Sequence, residues 1–242
     1  MRKLIYVADD EKNIRNLVRA FFEKEGWSVE VFDNGDLLLD AFLKKASDLV
    51  VLDIMMPGSN GFIICTKLRE VSDVPIIMLT AKDTEEDYVS GLALGSDDYF
   101  TKPFSPVKLT MRVKALFRRV DMFGQKDDAT DEIICGDIKI SHGGMTAVCK
   151  NEPLPLTKTE FSLLSYLAEN DDKAVSRQEL LNVIWGYDSA VESRATDDAV
   201  KRLRRKLTDA GSEVCIDTVW GYGFKIGGKC EKSKKGTRAT DF

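Results

Sequence analysis

The chain has 242 residues, room for one or two domains that each bury a core, with 43% apolar residues and a formal net charge of −5. That balance excludes a protein that is basic in bulk, so any nucleic-acid affinity has to come from a local patch. No apolar run approaches the ~20 residues of a membrane span. The opening Met1-Arg2-Lys3-Leu4-Ile5 runs straight into a strand rather than a signal-peptide layout, which predicts a cytoplasmic chain. Five scattered cysteines (Cys65, Cys135, Cys149, Cys215, Cys230), no Cys-x-x-Cys pair and one histidine argue against zinc and predict reduced thiols.

Residues 1–120 alternate apolar runs with amphipathic stretches. Strands read near 4–8, 28–32, 48–52, 75–80 and 97–100, with helical patterns between them. Ile14, Leu17, Val18, Phe21 and Phe22, for example, form the stripe of a helix lying on a sheet. Five such units predict an α/β doubly wound, five-stranded parallel sheet with helices on both faces. Residues 121–132 (DMFGQKDDATDE) are polar and acidic and read as a linker. In 133–228 the period changes: short alternating strands come first, then helical segments near 157–169, 176–184 and 194–209. Thr157 and Glu160 have capping-box spacing at the first of these. A terminal hairpin turning at Trp220-Gly221-Tyr222-Gly223 closes an α+β winged helix-turn-helix order. Residues 229–242 lack apolar periodicity and read as a disordered tail.

The chemistry-bearing residues of the first half fall where strands end. Asp9-Asp10 closes the first strand, Asp53 the third and Thr80 the fourth, and Lys102-Pro103 follows the fifth. The carboxyl edge of a parallel sheet is where such folds place their sites. Three acids, a hydroxyl and an ammonium converging there suit phosphoryl transfer, which needs positioning and charge neutralisation. The pattern points to a Mg²⁺-assisted site with Asp53 as the phosphoacceptor.

On these residues the first half resembles a CheY-like receiver, and 133–228 resemble the winged-helix effector of OmpR/PhoB-type two-component response regulators. The resemblance implies Mg²⁺ held by Asp10, Asp53 and the Met55 backbone carbonyl, with Asp9 acting through a water. It also implies phosphoryl contacts from Lys102, after a cis Lys102-Pro103 peptide, and from Thr80, with Thr80 and Tyr99 as the switch pair. A sensor histidine kinase is implied as phosphoryl donor. An aspartyl-phosphate hydrolase of the haloacid-dehalogenase type uses similar groups, but places a second Asp two residues after the nucleophile. Met55 stands there, so the chain reads as a regulator rather than an enzyme.

The resemblance further implies homodimerisation on phosphorylation, through the face made by the fourth helix, last strand and last helix of the receiver. Asp97, Asp98, Arg112, Arg118 and Arg119 occupy the matching positions. Lys108 and Tyr88 depart from the family's usual ion pair there, with Glu85 or Glu86 as substitute partners for Lys108. That departure leaves a phosphorylation-insensitive regulator of the same fold as the alternative.

For promoter DNA, the third effector helix presents Lys201, Arg202, Arg204 and Arg205 outward of an apolar stripe at Ala199, Val200, Leu203 and Leu207. The resemblance makes Arg202 the base-reading candidate. It assigns phosphate contacts to Arg194, Lys201 and Arg204, assisted by Trp185 and Thr218. Trp220 replaces the usual arginine of the wing, and the loop near 185–192 is open to RNA polymerase.

Overall fold

The computed structural model describes residues 2–80, 95–124, 132–186, 195–227 and 230–232; side chains are described for all of these but 119–124 and 230–232. The first half is built from β1 (Leu4–Ala8), α1 (Lys12–Lys24), β2 (Ser28–Phe32), α2 (Gly35–Lys44) and β3 (Leu49–Asp53). It continues with α3 (Gly61–Val71), β4 (Ile76–Thr80), β5 (Asp98–Thr101) and α4 (Pro106–Gly124). The strands pair in parallel in the order β2-β1-β3-β4-β5. β1, β3 and β4 are buried along their whole lengths, as a sheet covered on both faces requires.

Alternation of side chains along these strands splits the core in two. Tyr6, Val50, Leu52, Ile76 and Met78 pack with Leu38, Phe42, Ile64 and Leu68 of α2 and α3. Ile5, Val7, Leu49, Val51, Ile77 and Leu79 pack with Val18, Phe22, Leu109, Val113 and Leu116 of α1 and α4. Asn34 and Asn60 cap α2 and α3 by accepting from the amides of Leu37 and Ile63. Gly61 matters to the site: a Cβ there would lie 2.2 Å from the Asp53 carbonyl oxygen, so only glycine lets α3 start against the end of β3.

The second half contains β6 (Glu132–Cys135), β7 (Ile138–Ser141), β8 (Thr146–Cys149) and β9 (Glu152–Leu154), then α5 (Lys158–Glu169) and β10 (Val175–Ser176). Next come α6 (Arg177–Leu180), running into a π-helical turn (Leu181–Trp185), and α7 (Ala195–Asp209). It ends with β11 (Cys215–Val219), β12 (Gly223–Gly227) and β13 (Cys230–Lys232). The sheets are ordered β13-β6-β7-β8-β9 and β10-β12-β11. The capping box at Thr157 and Glu160 is present in both directions.

Three expectations are corrected. α4 continues to Gly124, so the expected linker begins as helix. Cys230–Lys232 of the expected disordered tail form β13 and pair with β6, which offers a free antiparallel edge. Cys135 is disulfide-bonded rather than reduced, and in the backbone register it stands opposite Cys230 of β13; Cys65, Cys149 and Cys215 remain thiols. Burial pushes the Cys65 thiol up to about 11, which leaves it unreactive. Among the described residues no helix is long and apolar enough to cross a membrane.

Candidate phosphoryl site and nucleic-acid interface

The strand ends meet as the sequence pattern requires. Asp9, Asp10 and Asp53 each offer an oxygen within 4.8 Å of the others. Asp9 and Asp53 are buried and Asp10 is exposed, so the cluster has one open side. The Lys102-Pro103 peptide is cis. The Lys102 ammonium lies 2.8 Å from an oxygen of Asp53, 2.8 Å from one of Asp9 and 3.3 Å from Glu11. The Met55 amide donates to the other Asp53 oxygen at 3.3 Å, and the Glu11 amide donates to Asp9 at 2.9 Å.

Electrostatics follow from this crowding. Burial raises both Asp53 and Asp9 above the ordinary aspartate value, against the lowering effect of the Lys102 hydrogen bonds. Burial opposes the Lys102 charge, but the hydrogen bonds to Asp53 and Asp9 outweigh it and hold its pKa above the ordinary value. Three hard oxygen donors with one solvent-facing side fit Mg²⁺, which binds through a few carboxylates and keeps its waters. Thr80 is buried at the end of β4, in register with Thr101, and its carbonyl accepts from the Lys102 amide at 2.6 Å. Tyr99 is half-buried against the α2–α3 core.

Two contributors escaped the sequence reading. Glu11 shares Lys102, a role visible only as a third acid in the Asp9-Asp10-Glu11 run. Arg15 fixes the β1–α1 loop by donating to the carbonyls of Asp9 and Asp10 at 2.6 and 2.8 Å. Nothing in the sequence distinguishes Arg15 from an ordinary exposed helix cation.

In the second half the basic helix is only partly an outward face. Lys201 and Arg205 are exposed, as expected. Arg202, expected to point outward and read bases, is 6% exposed and pairs with Glu160 at 3.2 Å. The helical period explains this, since position 202 lies three residues after buried Ala199 and shares its stripe. Lys206 reaches the other Glu160 oxygen at 2.6 Å. Arg204 is half-buried and donates to the Ile216 carbonyl at 2.8 Å and the Thr218 hydroxyl at 2.9 Å, tying α7 to β11. Trp220 stands 92% exposed at the hairpin tip. Arg194 and most of the loop 185–192 lie outside the described residues.

Trp185, expected to help hold phosphate, and residues of the expected dimer face meet each other within the chain. Trp185 is 1% exposed, and its indole N–H donates at 3.0 Å to the backbone carbonyl of Asp97 in the first half. Asp97 is held by Arg69 at 2.8 Å and by the Ile76 amide at 2.9 Å, and it accepts from the Thr159 hydroxyl. Arg112 pairs with Asp98 and donates to the Trp185 carbonyl. Asp97, Asp98 and Arg112 are thus buried within the chain, while Arg118 is exposed. The side chain of Arg119, and Tyr88, Glu85 and Glu86, lie outside the described residues.

Comparison with known proteins fits both halves. Residues 5–114 match the model of the response regulator receiver domain, and 151–226 match that of the transcriptional regulatory protein C-terminal domain. ResD of Bacillus subtilis is 39% identical over 227 residues, covering 92% of this chain and 95% of ResD. PhoP of the same organism, an alkaline phosphatase synthesis transcriptional regulator, is 38% identical over 93% of this chain and 97% of its own. The chain belongs to the OmpR/PhoB-type response regulators. Among solved structures, DrrB, a Thermotoga maritima OmpR/PhoB homologue, is 33% identical with a TM-score of 0.51, covering 94% of this chain and 100% of that one. A RitR C128D mutant reaches a TM-score of 0.72 at 26% identity, with the same coverage. The molecule is therefore a transcriptional two-component response regulator, whose receiver implies a histidine kinase partner and whose second domain binds DNA.

Proposed function

We propose that Asp53 accepts the phosphoryl group from the kinase histidine, and that this drives receiver dimerisation and binding to promoter DNA. The observation that carries the reading is the Lys102 ammonium, 2.8 Å from both Asp53 and Asp9. A cation in that place is poised to follow the phosphoryl oxygens once Asp53 is phosphorylated. An Asp53 oxygen attacks phosphorus as the bond to the kinase imidazole breaks, and Lys102 and Thr80 stabilise the transferred oxygens. Mg²⁺ held by Asp9, Asp10 and Asp53, with the Met55 carbonyl, would neutralise charge on the same group. Met55 stands two residues after Asp53 with its side chain 68% exposed, so the acyl phosphate has no carboxylate base at that position and persists as a signal.

DNA binding in this reading uses the exposed Lys201 and Arg205 and the wing residue Trp220, with Arg204 and Thr218 bracing the wing against α7. The cytoplasm, where the kinase's phosphoryl donor ATP and promoter DNA are both found, is the proposed location. RNA polymerase is the proposed target of the loop near 185–192.

The test is incubation with acetyl phosphate and Mg²⁺, read by intact mass. Wild type should gain one phosphoryl group, and Asp53→Asn or omission of Mg²⁺ should prevent it. Incorporation that persists in Asp53→Asn would move the site elsewhere. A wild type that stays unmodified would favour the phosphorylation-insensitive regulator.

A further inference from the structure

Cys135 and Cys230 stand where the two ends of the effector domain meet. β6 is the domain's first strand, and β13 comes soon after β12, the central strand of the wing sheet. The two strands pair antiparallel, with Cys135 opposite Cys230, Ile134 opposite Glu231 and Ile133 opposite Lys232. Opposed positions in such a ladder have Cα atoms ~4.5–5.5 Å apart, inside the ~4.4–6.8 Å that a disulfide spans. Of the chain's five cysteines, Cys135 is disulfide-bonded and Cys65, Cys149 and Cys215 are thiols. Register and elimination both leave Cys230 as the partner.

The two cysteines differ in how the fold holds them. Cys135 is fully buried and belongs to the effector core together with Ile133, Ile138 and Ile140. β13 is three residues long, lies at the edge of its sheet and pairs with β6 alone. Backbone pairing over so short an edge strand is a marginal hold. A covalent bond there closes a loop of ~95 residues that takes in α7 and the whole wing, and cross-links of that span remove much of the unfolded chain's freedom. When the bond opens, β13 is left to its few backbone pairs and β6 regains an unpaired edge.

A DNA-binding regulator works in a compartment that keeps thiols reduced, where a disulfide is more often redox-sensing than a permanent staple. This step rests on the cytoplasmic location proposed above. We propose that Cys135 and Cys230 are a redox switch of the DNA-binding domain. Oxidised, the pair clamps β13 onto β6 and ties the wing's return strand to the domain's first strand; reduced, β13 lets go and the domain loses stability.

The oxidant is a small-molecule disulfide such as oxidised glutathione. With β13 detached, the Cys230 thiolate attacks one sulfur of the oxidant, whose S–S bond breaks and releases one thiol. The Cys135 thiolate then displaces the second thiol from the mixed disulfide, forming the Cys135–Cys230 bond. Two electrons and two protons pass from the protein pair to the two released thiols.

The experiment uses the full chain as wild type, Cys230→Ser and Cys215→Ser, each equilibrated in mixtures of reduced and oxidised glutathione. Thiols are blocked by alkylation and the linked peptides are identified by mass, beside thermal melting, hydrogen exchange of β6 and affinity for a random-sequence duplex. Oxidised wild type should yield a peptide linking Cys135 to Cys230, and excess reduced glutathione should open it. Opening should lower the effector's melting temperature by about 10 °C. The amides of Ile133–Cys135 should then exchange about tenfold faster. At a temperature between the two midpoints, reduced wild type should bind the duplex about tenfold more weakly than oxidised. Cys230→Ser should behave as reduced wild type in every mixture, and Cys215→Ser as wild type.

A link from Cys135 to any other cysteine, or to a second copy, overturns the pairing. A bond that resists reduced glutathione and opens only to a stronger reductant is a permanent staple and overturns the switch. Equal melting of the two forms overturns the clamp, and equal duplex affinity between the midpoints overturns its consequence for DNA. All of these outcomes belong to the purified chain and hold whatever its location, which cell fractionation tests separately.

Discussion

The receiver pocket and the basic helix of the effector were both visible as charged clusters in the sequence, yet the fold treats them differently. In the receiver, Asp9, Asp10, Asp53 and Lys102 converge within hydrogen-bonding or ligand distance. In α7, Lys201 and Arg205 stay exposed, while Arg202 and Lys206 turn to a buried Glu160 and Arg204 braces the wing. A parallel sheet delivers every strand end to one edge, so carboxylates placed there cannot avoid each other. A helix delivers side chains around a full turn, so membership in a basic run says little about which ones reach outward.

The sharpest way to break this contrast is at Glu160. Its carboxylate serves Arg202, Lys206 and the Thr157 amide at once, and it is 0% exposed. Glu160→Ala should cost about 3–5 kcal/mol, because it leaves the buried Arg202 cation uncompensated. Urea unfolding of the full chain followed by circular dichroism should show the effector transition moving to lower denaturant. A loss under 1 kcal/mol would mean that Arg202 finds water and that the charges of α7 are all surface charges.

The pH dependence has a defined sign. Burial works against the Glu160 charge, but Lys206 and Arg202 more than compensate, so its folded pKa lies below the ordinary 4.5. Its contribution to stability is complete above that value and is lost as pH falls through the lowered folded pKa. Thermal melts from pH 6 to pH 3 should show an acid-side loss that Glu160→Gln removes. An unchanged acid limb in the variant would assign the loss to other carboxylates.

Arg202 and Arg205 should separate stability from binding. Arg205→Ala should leave the melting temperature in place and reduce the salt dependence of DNA affinity by about one counterion. Arg202→Ala should instead lower stability and change the salt slope little. Equal slopes lost in both would return Arg202 to the DNA face. The smallest effect expected is at the capping box: Thr157→Ala should cost about 1 kcal/mol, measurable in the same urea series.

How much was legible can be judged residue by residue. The five receiver strands, the capping box at Thr157 and Glu160, and the order of the winged helix followed from periodicity and local hydrogen-bonding chemistry. The convergence of Lys102 and Asp53 on one pocket was legible because strand-end position fixes direction. Arg15 and Glu11 were not, since nothing local marks one helix-start charge as a loop clamp. β13 was missed because three strand residues in a polar tail carry too short an alternation to register; the free edge of β6 supplies what their sequence lacks.

The sequence by itself determined the two domains, the acidic strand-end pocket and the presence of a basic helix, since each rests on short-range periodicity or on the geometry of a parallel sheet. Only the tertiary structure decided where Trp185, Arg112 and Asp97 go. Their partners lie 73 to 88 residues away in the chain, in Arg112 with the Trp185 carbonyl and Trp185 with the Asp97 carbonyl. Contacts at that separation depend on how two domains pack, and no local pattern encodes which polar groups a docking surface will satisfy.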